Sequence, residues 1–252
     1  MAGELGAGGG TGQVVARGPD GGESEEMVVL GVAPPDPGEH RNAVCLVAYS
    51  EGRGLVRIYP VPTRTRVSRW DVISVCLEKN PDDPRPESMR IRGSGSEWRA
   101  LHKRIRYAGR LGKEARTKLL GELVGKFCYG CAGDMDGGRA SLGMVRPDVI
   151  EGFFADRDDP ELRPEPGSAY DGSYTRIPVI TYRCPACRYG GRHEHRLHER
   201  RSYEYLRRRP HAAGRLWPVL GMGDPRQKTL LVSSTGRRGG GLMVVGIFGS
   251  GA

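Results

Sequence analysis

The sequence predicts an α+β protein: a small OB-like β-barrel or bent sheet, a basic helical middle segment, then a zinc-ribbon-like four-cysteine site joined to a C-terminal β-hairpin. Three observations lead there. Between Met27 and Arg92, short Val- and Ile-rich runs alternate with Pro, Gly and Asp, a pattern of strands and turns rather than helices. Two Cys-x-x-Cys pairs, Cys128/Cys131 and Cys184/Cys187, stand farther along. Lys and Arg outnumber Asp and Glu by 39 to 30, for a net charge of +9.

The elements follow in chain order. Residues 1–26 are rich in Gly and Glu and carry no apolar period, so they read as a disordered tail. Residues 27–94 form the OB-like part, with strands at Met27–Val32, Ala43–Tyr49, Leu55–Tyr59, Val72–Leu77 and Met89–Arg92. Ser50–Gly54 reads as a hairpin connection, and Cys45 and Cys76 as small core residues inside apolar runs. Residues 95–126 form the helical segment. Ser96 is placed to cap a helix from Glu97 to about Arg110, with Trp98, Leu101, Ile105 and Tyr107 as a partial apolar stripe. A second helix, Glu114–Val124, turns Leu119, Leu120 and Leu123 inward and ends just before the first Cys pair.

The remainder, 127–252, is the zinc-stapled part; 27–248 is expected to fold as one unit. Leu142–Val145 and Val149–Phe154 are short ordered runs, and 156–173 is an Asp/Pro/Gly-rich linker. A strand at Ile177–Tyr182 leads into Cys184, and Arg192–Leu197 returns beside it. A helix at Glu199–Arg209 stops at Pro210, and a short one follows within His211–Leu220. Thr229–Ser233 and Leu242–Phe248 close the chain as two strands, with Gly236–Gly241 as a flexible hairpin tip.

Two residues between thiols let both sulfurs of a tight turn face one ion, and four such ligands make a closed tetrahedral site. Cys128, Cys131, Cys184 and Cys187 therefore predict one structural Zn²⁺ per chain. Disulfides or a redox dithiol are the competing readings. The opening residues lack a basic and apolar leader, and no apolar run approaches a membrane span. A cytoplasmic location follows, where thiols stay reduced and such spacing favours metal. No membrane partner is expected. His193 and His195 alternate onto one face of a strand. They permit a second, catalytic ion, or one His in place of a Cys ligand.

Two dense clusters of positive charge stand out, one from Arg99 to Lys118 and one from Arg192 to Arg215. Such density suits a polyanion. The nucleic-acid contacts it predicts are Arg57, Tyr59, Arg64, Arg66, Arg69 and Trp70 as a stacking and phosphate surface on the barrel. Lys103, Arg104, Arg106, Arg200, Arg201, Arg207 and Arg208 extend it. A solvated face in an arginine-rich chain is the plainer alternative. The Pro-rich stretch Lys79–Ser88 reads as a stiff exposed loop in which Arg85 pairs with a nearby acid. Its Asp82, Asp83 and Glu87, with His193 and His195, are weak candidates for catalysis. No Walker phosphate loop or nucleophile elbow is present.

Arg57-Ile-Tyr-Pro-Val-Pro62, Trp70-Asp-Val-Ile73, Lys79–Ser88, Ser141-Leu-Gly-Met-Val-Arg-Pro147, Val232-Ser-Ser-Thr235 and Val244-Val-Gly-Ile-Phe248 together resemble an uncharacterised bacterial protein family. The resemblance spans about 27–248. It implies a single co-folded unit with arginine-bearing motif loops on its N-terminal part, and no established activity. Leu-His-Glu-Arg-Arg stands where members of that family tend to carry Asp-Trp-Glu.

The function expected from all this is a zinc-stabilised nucleic-acid-binding protein without catalytic activity of its own. The alternatives are a metal-dependent enzyme acting on nucleic acid or nucleotides, and a scaffold with a protein partner in a bacterial defence or mobile-element system.

Overall fold

The computed structural model describes residues 23–35, 43–94, 98, 100–135, 140–156, 176–187, 191–222, 228–235 and 241–249. Residues 1–22 of the expected tail, Ser96 and Glu97, residues 157–173 of the expected linker and 236–240 of the hairpin tip lie outside them; Glu25 and Glu26, expected in the tail, begin the first strand instead. The protein is mixed α+β, mostly sheet with few helices.

Seven strands make the first sheet: β1 (Glu25–Val32), β2 (Ala43–Ser50), β3 (Gly54–Pro62), β4 (Asp71–Val75), β5 (Leu77–Lys79), β6 (Ser88–Ile91) and β7 (Arg106–Arg110). Their order is β5-β6-β3-β2-β1-β4-β7. With β5 and β7 each paired on one side, the sheet is bent and open rather than a closed barrel. Alternation sends one set of side chains inward and the other outward. Val29, Leu46, Ile58 and Ile73 join the cluster inside the bend, while their neighbours Leu30, Val47 and Leu55 join a second cluster on the opposite face. Both faces are covered, which is why β1–β3 read as nearly continuous apolar runs. The run expected as one strand at Val72–Leu77 is two, β4 and β5, parted at Cys76.

Over the described residues 100–110, the helix expected at Glu97–Arg110 is not there. Residues Leu101–Arg104 make a single 3-10 turn, and the chain then pairs with β4 as β7. Leu101 and Ile105 still enter the inner cluster, with Trp98 packed against it. Burying three side chains needs no long helix, and the open edge of β4 offers its N–H and C=O groups as partners instead. Gly109, at φ +145°, takes a backbone form open to glycine and interrupts the β4–β7 register.

Helix α1 (Lys113–Phe127) lays Leu120 and Leu123 on the outer cluster and delivers the chain to β8 (Cys128–Tyr129). Strands β9 (Leu142–Val145), β13 (Lys228–Ser234) and β14 (Leu242–Gly249) complete a sheet ordered β14-β13-β9-β8. It packs against the first sheet so closely that a Cβ on Gly31 would stand 2.8 Å from the Val245 carbonyl oxygen. A third sheet, β10-β11-β12, is built from β10 (Val149–Asp156), β11 (Arg176–Arg183) and β12 (His193–Arg196). The Leu197–Val244 bridge ties it to β14. Helix α2 (Arg200–Arg208) and the short α3 (Leu216–Val219) follow, with a 3-10 stretch at Pro210–Arg215 between them.

Candidate metal centre

Three short pieces of chain bring thiols and an imidazole together. β11 runs into Cys184, and the turn that follows is closed by the Cys187 N–H donating to the Cys184 carbonyl at 3.2 Å. β12 returns antiparallel with His193 opposite Tyr182. The β11–β12 hairpin thus carries Cys184, Cys187 and His193 at one end. Cys131 comes from the other side, at the head of a 3-10 turn, its carbonyl accepting from the Asp134 N–H at 3.1 Å. The two knuckle turns touch: a Cβ on Gly130 would lie 3.2 Å from the Ala186 methyl.

Cys131 Sγ lies 3.2 Å and Cys187 Sγ 3.3 Å from His193 Nε2. The ligand atoms of Cys131, Cys184 and His193 all fall within 4.8 Å of one another. A tetrahedral ion with bonds of about 2.0–2.3 Å needs its ligand atoms roughly 3.5 Å apart, so the group is compatible with a metal ion. Its electrostatics agree. Burial pushes the Cys131 thiol up, and pushes Cys184 up to about 12, with the neighbouring thiols adding to the rise. Thiols so placed ionise when a cation offsets their mutual repulsion. Burial lowers His193 and favours the neutral imidazole that ligates.

The set differs from the four thiols expected. His193 stands in it, and Cys128 does not: that sulfur faces the Tyr129 carbonyl at 3.7 Å, near Arg146. The reason is the frame. Cys128 is held extended in β8 against Met144, while Cys131 has already left the strand. The sequence signal for the histidine was its alternation with His195 in the returning strand. His195 stacks on His193 at 5.9 Å, and burial takes it down to about 4. Its Nε2 and the Tyr182 hydroxyl are both buried without a hydrogen-bond partner among the described residues.

The carboxylates expected as weak catalytic candidates are elsewhere. Asp83 binds Arg85 at 2.6 Å and accepts from Ser88 at 2.7 Å. Glu87 accepts from the Ser141 amide and hydroxyl, and Asp82 is exposed. Among the described residues, the grouped metal-ligating side chains include no carboxylate. The loop Lys79–Ser88 is also less exposed than expected, because Arg85 donates to the Ser234 carbonyl at 2.7 Å.

The stacking surface expected around Arg57 is dissolved by burial. Arg57 is 3% exposed, and its guanidinium donates to Ser141 and Ser233. Arg69 is 8% exposed, donating to Glu199 at 2.6 Å and to the Ile247 carbonyl at 2.7 Å. Trp70 packs edge-on against Phe248 at 5.3 Å. These residues belong to the seam between sheets. Tyr59 is half-buried, whereas Arg64 and Arg66 are exposed. Lys103, Arg106, Arg201, Arg207 and Arg208 are also exposed, and Arg104 and Arg200 half-buried.

The tertiary contacts regroup the exposed cations. Arg200 donates to the Val67 carbonyl at 2.8 Å, and the Arg69–Glu199 pair lies beside it. The loop bearing Arg64 and Arg66 therefore abuts α2 with its arginines. Sequence reasoning missed Tyr107, which is 67% exposed on β7 between Arg106 and Arg110. Its place in an expected helix stripe hid it.

Fold and site together define a mixed α+β protein with a Cys/His group able to hold an ion. Residues 23–121, covering β1 to β7 and the first part of α1, match the family model described as "Domain of unknown function (DUF8758)". No curated protein matches the chain. No helix among the described residues is long and apolar enough to cross a membrane.

Proposed function

We propose that this is a zinc-stabilised nucleic-acid-binding protein with no catalytic activity of its own. The ion is Zn²⁺, held by Cys131, Cys184, Cys187 and His193, since three thiolates and an imidazole form a preferred zinc donor set. Four protein ligands leave no open position for water, which makes the role structural, as in a zinc ribbon.

The observation that carries the binding reading is the contact of Arg200, at the start of α2, with Val67 in the loop after β3, which sets the exposed Arg64 and Arg66 of that loop and the exposed Arg201, Arg207 and Arg208 of α2 on neighbouring elements. Glu204 is the acid among them, and it is engaged by Arg200 at 3.3 Å and Arg208 at 4.0 Å. Arg66 sits at φ 52°, a backbone form that non-glycine residues rarely take. At the far edge of the first sheet, Tyr107 between two arginines offers a base-stacking face.

Binding of fluorescent single-stranded DNA and RNA across salt concentrations tests the reading. On single strands about six phosphate contacts would lower affinity roughly 300-fold between 50 and 200 mM salt. Each of Arg64→Ala, Arg66→Ala and Arg201→Ala would reduce the salt slope by about 0.7. Binding indifferent to salt and to these variants rejects the proposal. A protein partner retained after complete nuclease digestion would favour the scaffold instead.

A further inference from the structure

Between the first sheet and the β13–β14 hairpin lies a cleft of about 170 Å³. It gathers motif segments that are far apart in the chain: Arg57 and Tyr59 of β3, Arg85 of the proline-rich loop, and Ser233–Thr235 of β13. Cys45 and His198 also line it, and Pro34, Val47, Met243 and Val245 supply an apolar wall. Cys45 sits where β2 and β3 slip register, between the pairs Val44–Val61 and Leu46–Ile58. Such a bulge re-aims a side chain and is common beside binding sites.

The charges in this lining have one sign. Among the described residues it holds two guanidiniums, an imidazole and four hydroxyl side chains, and no carboxylate. The nearby acids are committed behind it, Asp83 to Arg85 and Glu87 to Ser141. Arg57 is the unusual member. Its three hydrogen bonds among the described residues go to neutral oxygens, the Ser141 hydroxyl and carbonyl and the Ser233 hydroxyl. Burial lowers its affinity for the proton, with Arg85 adding to that effect and Cys45, Asp83 and Glu87 opposing it. A guanidinium nevertheless stays protonated. A buried cation bonded only to neutral groups is expensive unless an anion joins it. Each guanidinium has five N–H groups. Arg57 uses three of them, and Arg85 uses three on Asp83 and the Ser234 carbonyl. Donors remain on both.

We propose that this cleft binds a small organic anion, its phosphoryl or carboxylate head between Arg57 and Arg85 and its apolar body against Val47, Met243 and Val245. The volume limits the ligand to fragment size, below the roughly 300 Å³ at which pockets for drug-sized ligands begin. The site is separate from the thiol group and from the exposed arginines, so it stands or falls independently of nucleic-acid binding.

Calorimetric titration of the full chain with phenyl phosphate, benzoate and phenol is the test. One of the two anions binds and phenol does not; which anion binds separates a phosphoryl from a carboxylate ligand. Arg85→Gln weakens that binding at least about tenfold. Met243→Trp, which fills the cleft and leaves the guanidiniums in place, abolishes it without changing oligonucleotide affinity. Cys45 and Cys76, both half-buried, give an internal comparison by peptide mapping. The binding anion slows alkylation of Cys45 by iodoacetamide and leaves Cys76 unchanged. Equal heats for phenol and the two anions, no heat from any of the three, or anion binding that survives both variants, would overturn the proposal.

Discussion

The bent first sheet and the thiol-bearing part are held together by different physics. The first sheet curls over a continuous apolar cluster running from Met27 to Ile105, filled mainly by Val, Ile, Leu and Met from every strand but β7. Near the thiols, the apolar cluster includes Cys131 and Cys184 themselves, and β8 and β12 beside them are short. Apolar burial is collective, so it tolerates the loss of one member. A ligand group is not: under the zinc proposal, three sulfurs and an imidazole from two distant stretches would hold only while an ion joins them. One region would then be secured by many weak contacts and the other by a few strong ones.

Removing the ion separates the two most sharply. Chelation, or Cys131→Ser, takes away on the order of 10 kcal/mol of local stability. Hydrogen exchange is then expected to show β10, β11 and β12 losing protection while β1 to β3 keep theirs. Metal analysis sharpens the point: Cys128→Ser is expected to retain one zinc per chain and Cys131→Ser to lose it. Equal zinc content in both variants would dismantle the four-ligand assignment.

The next effect lies where the regions meet. Glu199→Gln leaves the Arg69 guanidinium buried with half its partner, and breaking a buried pair costs about 3–5 kcal/mol. Urea denaturation measures it, and Arg69→Met in the same background should recover part of the loss. A smaller change tests packing beside β10. A Cβ on Gly152 would stand 2.4 Å from the Trp217 ring, so Gly152→Ala is expected to cost about 1–3 kcal/mol and lower Tm.

The smallest effect is a pH dependence at the seam. The hydrogen bonds of Arg85 and Ser88 hold the Asp83 carboxyl down at about 2, against burial, which would raise it from 3.8. A folded pKa below the unfolded one stabilises above pH 3.8, and the contribution is lost as pH falls from there through about 2. It amounts to about 1 kcal/mol once solvent screening is allowed for. Asp83→Asn should flatten that part of the stability profile, and an unchanged profile would show that the Arg85 contact carries no weight.

The resemblance to an uncharacterised family agrees with the match over residues 23–121, and neither supplies an activity. The strands of the first sheet were legible because alternation and turn residues are local signals: Ala43–Tyr49 was expected and Ala43–Ser50 is observed. The hairpin leading into Cys184 was equally legible, from a β-branched run that stops at the knuckle. The segment from Trp98 to Arg110 was not. Its apolar spacing suits a helix, yet the open edge of β4 competes for the same backbone groups, and that edge exists only once the sheet has formed.

Sequence alone settled residue chemistry: where thiols, imidazoles and arginines occur, and which runs are apolar enough to be buried. Tertiary structure decided which of them meet. It exchanged Cys128 for His193 in the thiol group, because a strand's register governs which sulfur is free to turn inward. It also withdrew Arg57 and Arg69 from the surface into the seam, while leaving Arg64 and Arg66 outside. An arginine reads the same in either place; only the packing of one sheet on another determines whether water or a serine receives its hydrogen bonds.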